Sequence, residues 1–151
     1  MADELLMERD GDITTLTINR PDDGNKVSDP MAVELAGLLA EAGSSSRCVI
    51  LRGAGDTFCE GRAQMGRRGG TGLPEALDLR DNNEVVFNAY GSFRNSPAPV
   101  VAVVQGDALG FGCALASVCD VTIASDNARF QLPEMGHNIM PTMAMSSPMD
   151  R

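Results

Sequence analysis

Residues 106–120 read GDALGFGCALASVCD, and they follow closely on the apolar run APVVAVV at residues 98–104. A β-branched run of that length suits a buried strand, and the glycines after it suit a tight turn opening a helix of small residues. In that order the unbonded N–H groups of the helix's first turn are aimed at something negative. The anion is either a phosphate or an oxyanion that forms only during a reaction. A dinucleotide fingerprint requires G-x-G-x-x-G, with an acidic residue after the next strand. Here the order is G-x-x-x-G-x-G, and the next apolar segment ends in IAS. A phosphate loop closes in G-K-[ST], which GFGCA lacks. Close packing of the helix on a sheet is the remaining, purely structural role for these glycines.

Working outward, residues 12–21 (DITTLTINRP) alternate Leu16 and Ile18 with threonines, the pattern of a half-buried strand that Pro21 ends. The loop at residues 21–29 leads to Ser28 or Asp29 as cap of a helix beginning near Pro30. Its apolar stripe is read as Val33, Leu35, Leu38 and Leu39, with AGSSS at residues 42–46 closing it. RCVILRG at residues 47–53 is a continuous run suited to a strand covered on both faces. After a glycine-rich loop, a longer helix is predicted over residues 74–95, with Val86, Ala89, Tyr90 and Phe93 at helical spacing. DVTIAS at residues 120–125 predicts another strand with Val121 and Ile123 on one face, followed by a methionine-rich tail. Strand and helix alternate, so the class is α/β.

The chain of 151 residues is 43% hydrophobic and 22% charged, ordinary values for one globular domain. Its net charge of −9, with Lys26 as the single lysine, argues against nucleic acid or an anionic membrane as partner. A small anionic ligand needs only a local basic patch. No apolar run is long enough to span a bilayer, and the acidic start MADELLMERDGD lacks the order of a signal peptide, so a cytoplasmic protein is expected. Cys48, Cys59, Cys113 and Cys119 show no C-x-x-C spacing and are read as free thiols, with no metal site.

Three stretches together carry a family resemblance: FCEGRAQM at residues 58–65, PVVAVVQGDALGFGCALASVCDVTIAS at residues 99–125, and ARFQLPEMGHNIMP at residues 128–141. In order and spacing they resemble the enoyl-CoA hydratase/isomerase (crotonase) superfamily, and residues 13–28 resemble its opening strand and loop. The resemblance implies a spiral of ββα units over residues 1–151, short at the C-terminus, and a homo-oligomer, trimeric or hexameric in the family. It implies acyl-CoA or enoyl-CoA substrates, with coenzyme A entering as part of the substrate and no permanently bound cofactor. The backbone amides of Arg62 and Phe111 fall on the family's two oxyanion donors, and Glu134 on its acid–base carboxylate. The CoA-binding positions fall on Lys26, Val27, Arg62, Ala63, Gln64, Met65 and Gly110, with Arg67 and Arg68 as candidates for the phosphates.

The departures matter as much. The family's middle glycine is Phe111 here, whose ring either narrows the acyl pocket or packs in the core. Hydratases of the family use a second glutamate after the glycine motif, where this chain has Ala114, so hydration needs Asp107 or another group. Double-bond isomerisation is compatible with Glu134 alone. Ala63 replaces a usual acidic residue, and His137, the single histidine, lies three residues beyond Glu134. The family continues well past residue 151, so Ile139, Met140, Met143 and Met145 are expected to be poorly covered. Three readings therefore stand: a hydratase or isomerase, a silent member that binds CoA esters or a partner, and thioester hydrolysis or dehalogenation on the same platform.

Overall fold

The computed structural model describes residues 3–63, 76–138 and 140–147; for residues 76–82 and for His137 it describes the backbone only. The chain opens with a strand that the sequence reading did not anticipate. β1 (Leu5–Asp10) pairs antiparallel with β2 (Ile13–Ile18), Asp10 facing Ile13 across a turn through Gly11 and Asp12. The signal was present as the two-residue Gly11–Asp12 turn, with Gly11 at φ +58°, but the acidity of the segment masked it.

From β2 onward one pattern repeats. A strand enters the main sheet, a short extended piece joins a second layer, and a helix returns the chain. β2 is followed by Val27 and α1 (Asp29–Ser45), then β3 (Cys48–Gly53) by the segment around Cys59 and Arg62 and by α2 (Ala76–Arg94). β4 (Val100–Val104) is followed by β5 (Asp107–Leu109) and α3 (Phe111–Val118). β6 (Val121–Ala124) is followed by β7 (Arg129–Gln131), a 3-10 turn over Pro133–His137 and α4 (Thr142–Met145). The main sheet runs β1-β2-β3-β4-β6, parallel from β2 onward. The second layer keeps the same order: Val27 bridges Arg62, Cys59 bridges Ala108, and β5 pairs parallel with β7. The sequence expectation of an α/β spiral of ββα units is met in these four turns.

One face of the main sheet is the core face. Leu16, Ile18, Val49, Leu51, Val100, Ala102 and Val104 are all buried on it, together with Leu35 and Leu39 of α1 and the predicted stripe Val86, Ala89, Tyr90 and Phe93 of α2. Two expectations are corrected. Val33 is 62% exposed because the buried stripe of α1 runs Met31, Leu35, Leu39 and Ala42, which leaves Val33 on the far side of the helix. β3 is not covered equally on both faces: Val49, Leu51 and Gly53 are buried, whereas Arg52 is exposed and Ile50 only half-buried. Val121 and Ile123 do share a face, in register with Val101 and Val103, but that face is open and they are 51% and 57% exposed. In the tail Met140 and Met145 are exposed as expected, and Ile139 lies outside the described residues.

Candidate active site

The short strands of the second layer end side by side, and a cavity of about 300 Å³ opens at their carboxyl ends. Ligands in parallel α/β layers bind at that end because the chain leaves each strand there and helix N-termini gather. Gly61 and Arg62 form one wall, Gly110 and Phe111 the next, and Pro133 and Glu134 the third. Val86 and Tyr90 of α2 and Met143 and Ala144 of α4 close the apolar side.

Backbone geometry sets the first two walls. Val27 N–H donates to Gly61 O and Ala63 N–H donates to Val27 O, so this bridge is made by the residues flanking Arg62. In a parallel bridge the intervening residue's own N–H points to the opposite edge. Phe111 is the first residue of α3, where an N–H has no intrahelical acceptor. Gly110, at φ +51°, makes the corner, and its N–H donates to Gln131 O at 2.8 Å. A side chain at Gly110 would be strained in that conformation and would press on Glu134 Oε1 at 3.3 Å. Gly112 lets the first turn of α3 lie directly on the carbonyl of Cys59, which a Cβ there would meet at 2.1 Å. The glycines therefore do two jobs that the sequence reading held apart, close packing and presentation of a helix N-terminus.

Glu134 is half-buried at the start of the 3-10 turn, and its Oε2 is buried with no hydrogen-bond partner among the described residues. A buried carboxylate oxygen left unbonded is costly, so a group of that kind calls for an explanation, a catalytic role among them. Tyr90, which the sequence placed only on a core stripe, reaches the same cavity and stacks on Phe111 with ring centroids 5.5 Å apart. Burial pushes the Tyr90 phenol above its ordinary range, the Glu134 carboxylate adds to this, and Arg62 opposes it. The available signal was a lone hydroxyl-bearing ring on an otherwise apolar helix face. Phe111 is both a packed ring and a wall of the cavity, so its two sequence-level roles coincide.

Other candidates are engaged elsewhere. The Arg62 guanidinium is held by Asp29, Nε at 2.7 Å and Nη2 at 2.5 Å. Lys26 Nζ lies between Asp23 (3.4 Å) and Glu60 (3.6 Å) at the rim. Val27 is fully buried, with both backbone groups bonded to residues 61–63, and Ala63 is half-buried. Asp107 forms a two-pronged pair with Arg129 at 2.9 and 2.6 Å and is absent from the cavity lining. Ala114 is buried inside α3. Burial raises the Cys113 thiol, with Glu134 contributing, so it is a weak nucleophile. Gln64, Met65, Arg67 and Arg68 lie outside the described residues, as does the side chain of His137. Among the described residues no helix is long and apolar enough to cross a membrane.

Comparison with known proteins places this ββα spiral and its glycine-cornered cavity in a family. The enoyl-CoA hydratase/isomerase family model matches residues 8–151. The 2,3-dehydroadipyl-CoA hydratase of Escherichia coli is 36% identical over 141 residues, 91% of this chain and 52% of its own length. An enoyl-CoA hydratase/isomerase from Marinobacter aquaeolei superposes with a TM-score of 0.87 at 30% identity, over 98% of this chain and 58% of that one. A Thermobifida fusca YX protein solved in complex with CoA gives a TM-score of 0.81 at 28% identity, over 96% and 58%. The chain belongs to the enoyl-CoA hydratase/isomerase family. It spans about half the length of the curated relatives it matches.

Proposed function

We propose that the cavity binds an acyl-CoA thioester and carries out hydratase/isomerase chemistry through an enolate. The observation that carries this reading is Glu134 Oε2, buried without a partner in the same cavity as the first turn of α3. The thioester oxygen sits between the Arg62 and Phe111 amides, where negative charge develops as a proton leaves the α-carbon. Preorganised N–H donors stabilise that charge because they need no reorientation as it forms. Their effect is strengthened by the apolar wall of Val86, Phe111, Met143 and Ala144. Glu134 is the base that takes the proton and returns it, to a different carbon in isomerisation. Backbone donors tolerate side-chain change, so Phe111 in place of a glycine leaves the amide available. Coenzyme A is the handle of the substrate, and Lys26 and residues 62–65 are the proposed contacts for it. No group beyond the substrate and, for hydration, a water is needed for this chemistry.

The test is to incubate the protein with α,β- and β,γ-enoyl-CoA esters and follow their ultraviolet absorbance. Glu134→Gln preserves shape but removes the base, and a loss of kcat of about 10²–10⁴-fold is expected. Retention of most of the activity would remove Glu134 from the mechanism. A second reading, binding of CoA esters without turnover, is favoured by Ala114 at the position of a second carboxylate. Calorimetric binding of a saturated ester together with no turnover of any enoyl ester would select it.

A further inference from the structure

Hydration needs the attacking water to be held as well as deprotonated, and with Ala114 in α3 one acidic group is absent from its usual position. Among the described residues the polar side chains on the cavity wall are Glu60, Arg62, Tyr90 and Glu134. Glu60 is ion-paired with Lys26 at 3.6 Å and Arg62 with Asp29, which commits each first to a charge partner. Tyr90 remains. Tyr90 is 1% exposed as a residue and its ring stacks on Phe111, so packing restricts the ring. The hydroxyl bonds to no described residue and is not among the fully buried unpartnered atoms, and Tyr90 lines the same cavity as Glu134.

We propose that Tyr90 is a positioning residue for hydration, its O–H donating to the oxygen of the water that Glu134 deprotonates. The proposal rests on the acyl-CoA reading above and adds to it the group that supplies the second contact to water. Water donates one hydrogen to Glu134 and receives one from Tyr90, which leaves a lone pair for the β-carbon. As that carbon–oxygen bond forms, one water proton passes to Glu134 and the π pair of the double bond moves into the thioester enolate. Glu134 then returns the proton to the α-carbon, and the second water proton stays on the new hydroxyl. Tyr90 keeps its own proton throughout, as a phenol must if it is to donate at neutral pH.

The experiment uses Tyr90→Phe, which keeps the ring and its stack and removes only the hydroxyl. Hydration of an α,β-enoyl-CoA should fall about tenfold or more in kcat, the worth of one hydrogen bond, with KM nearly unchanged. Isomerisation of a β,γ-enoyl-CoA, which consumes no water, should be unaffected, as should the melting temperature. Equal hydration rates in the two proteins, or equal losses in hydration and isomerisation, would overturn the assignment. So would a wild type that isomerises but does not hydrate.

A binding readout separates this failure from failure of the acyl-CoA reading. Tyr90 is the only tyrosine and there is no tryptophan, so tyrosine emission reports on this wall alone. Saturated butyryl-pantetheine, which lacks adenine absorbance, should change that emission saturably in wild type and in Glu134→Gln. Calorimetric binding with no change in emission would overturn Tyr90's contact while leaving the acyl-thioester site in place. No binding and no turnover of any ester would overturn both.

Discussion

Gly112 lies where α3 touches the segment that ends in Arg62, and a single methyl group there would meet the Cys59 carbonyl at 2.1 Å. The obstacle is backbone, so α3 must move, and the Phe111 amide moves with it. Gly112→Ala should destabilise the fold by roughly 1–3 kcal/mol. It should also lower kcat more than it weakens ester binding, because the distance between two amides is what changes. Thermal melting with steady-state kinetics checks both. Cys59, buried beneath this contact, gives a prediction in pH. Burial pushes its thiol from 9.0 up to about 12, with a backbone hydrogen bond at Gly61 opposing and Glu60 adding a little. Below pH 9 the thiol is protonated in folded and unfolded chains alike. Above it the unfolded chain releases the proton while the folded chain keeps it, so stability falls by up to about 1.4 kcal/mol per pH unit until about pH 12. Tyr90 acts in the same direction at somewhat higher pH. Cys59→Ala should flatten this alkaline slope in urea titrations at stepped pH, whatever it does to stability at neutral pH.

At the scale of elements, α1 shows how far a periodic pattern reaches. Ser28 caps it as expected, its Oγ accepting from Met31 N–H, and Pro30 occupies the first turn. The apolar residues of α1 were legible; which of them face inward was not, since Val33 and Leu35 are equally hydrophobic. The sheet decides, because α1 packs on β2 and β3, so Leu35 and Leu39 are buried in one core with Leu16 and Leu51 while Val33 is exposed. Leu35→Ala should therefore cost about 2–5 kcal/mol, and Val33→Glu should stay within about 0.5 kcal/mol. Denaturant unfolding of the two variants checks the orientation of the helix directly. β1 is the complementary case: its pairing with β2 is clear in three dimensions, yet Glu8, Arg9 and Asp10 made its sequence look like a solvated tail.

Over the whole molecule the two faces of the main sheet differ sharply. The core face is closed, whereas the other carries Ile13, then Ile50, Val101 and Val121 in register, and Val103 beside Ile123, half-buried at the centre and exposed toward both edges. Among the described residues β6 also ends the sheet order, so its outer edge has no strand paired to it there. Burying one such side chain is worth about 1.5–3 kcal/mol, so several together are enough to drive association. The 151-residue chain should therefore self-associate with rising concentration. Replacing Val121 and Ile123 together by lysine should suppress this, as read by light scattering, while leaving binding in the cavity intact. A stable monomer with both residues in place would contradict it.

By itself the sequence determined the α/β alternation, the order of three motifs, and Gly110 and Gly112 as special positions, whereas Glu134 was marked by the family resemblance alone. The alternation and the glycines are properties of local pattern: period and turn chemistry. Only the tertiary structure decided that Tyr90 reaches the cavity, that Asp107 and the Arg62 guanidinium are engaged elsewhere, and that Val121 and Ile123 face outward. Each of those depends on which element packs beside which. The relevant partners are separated by tens of residues, and no local period in the sequence encodes their meeting.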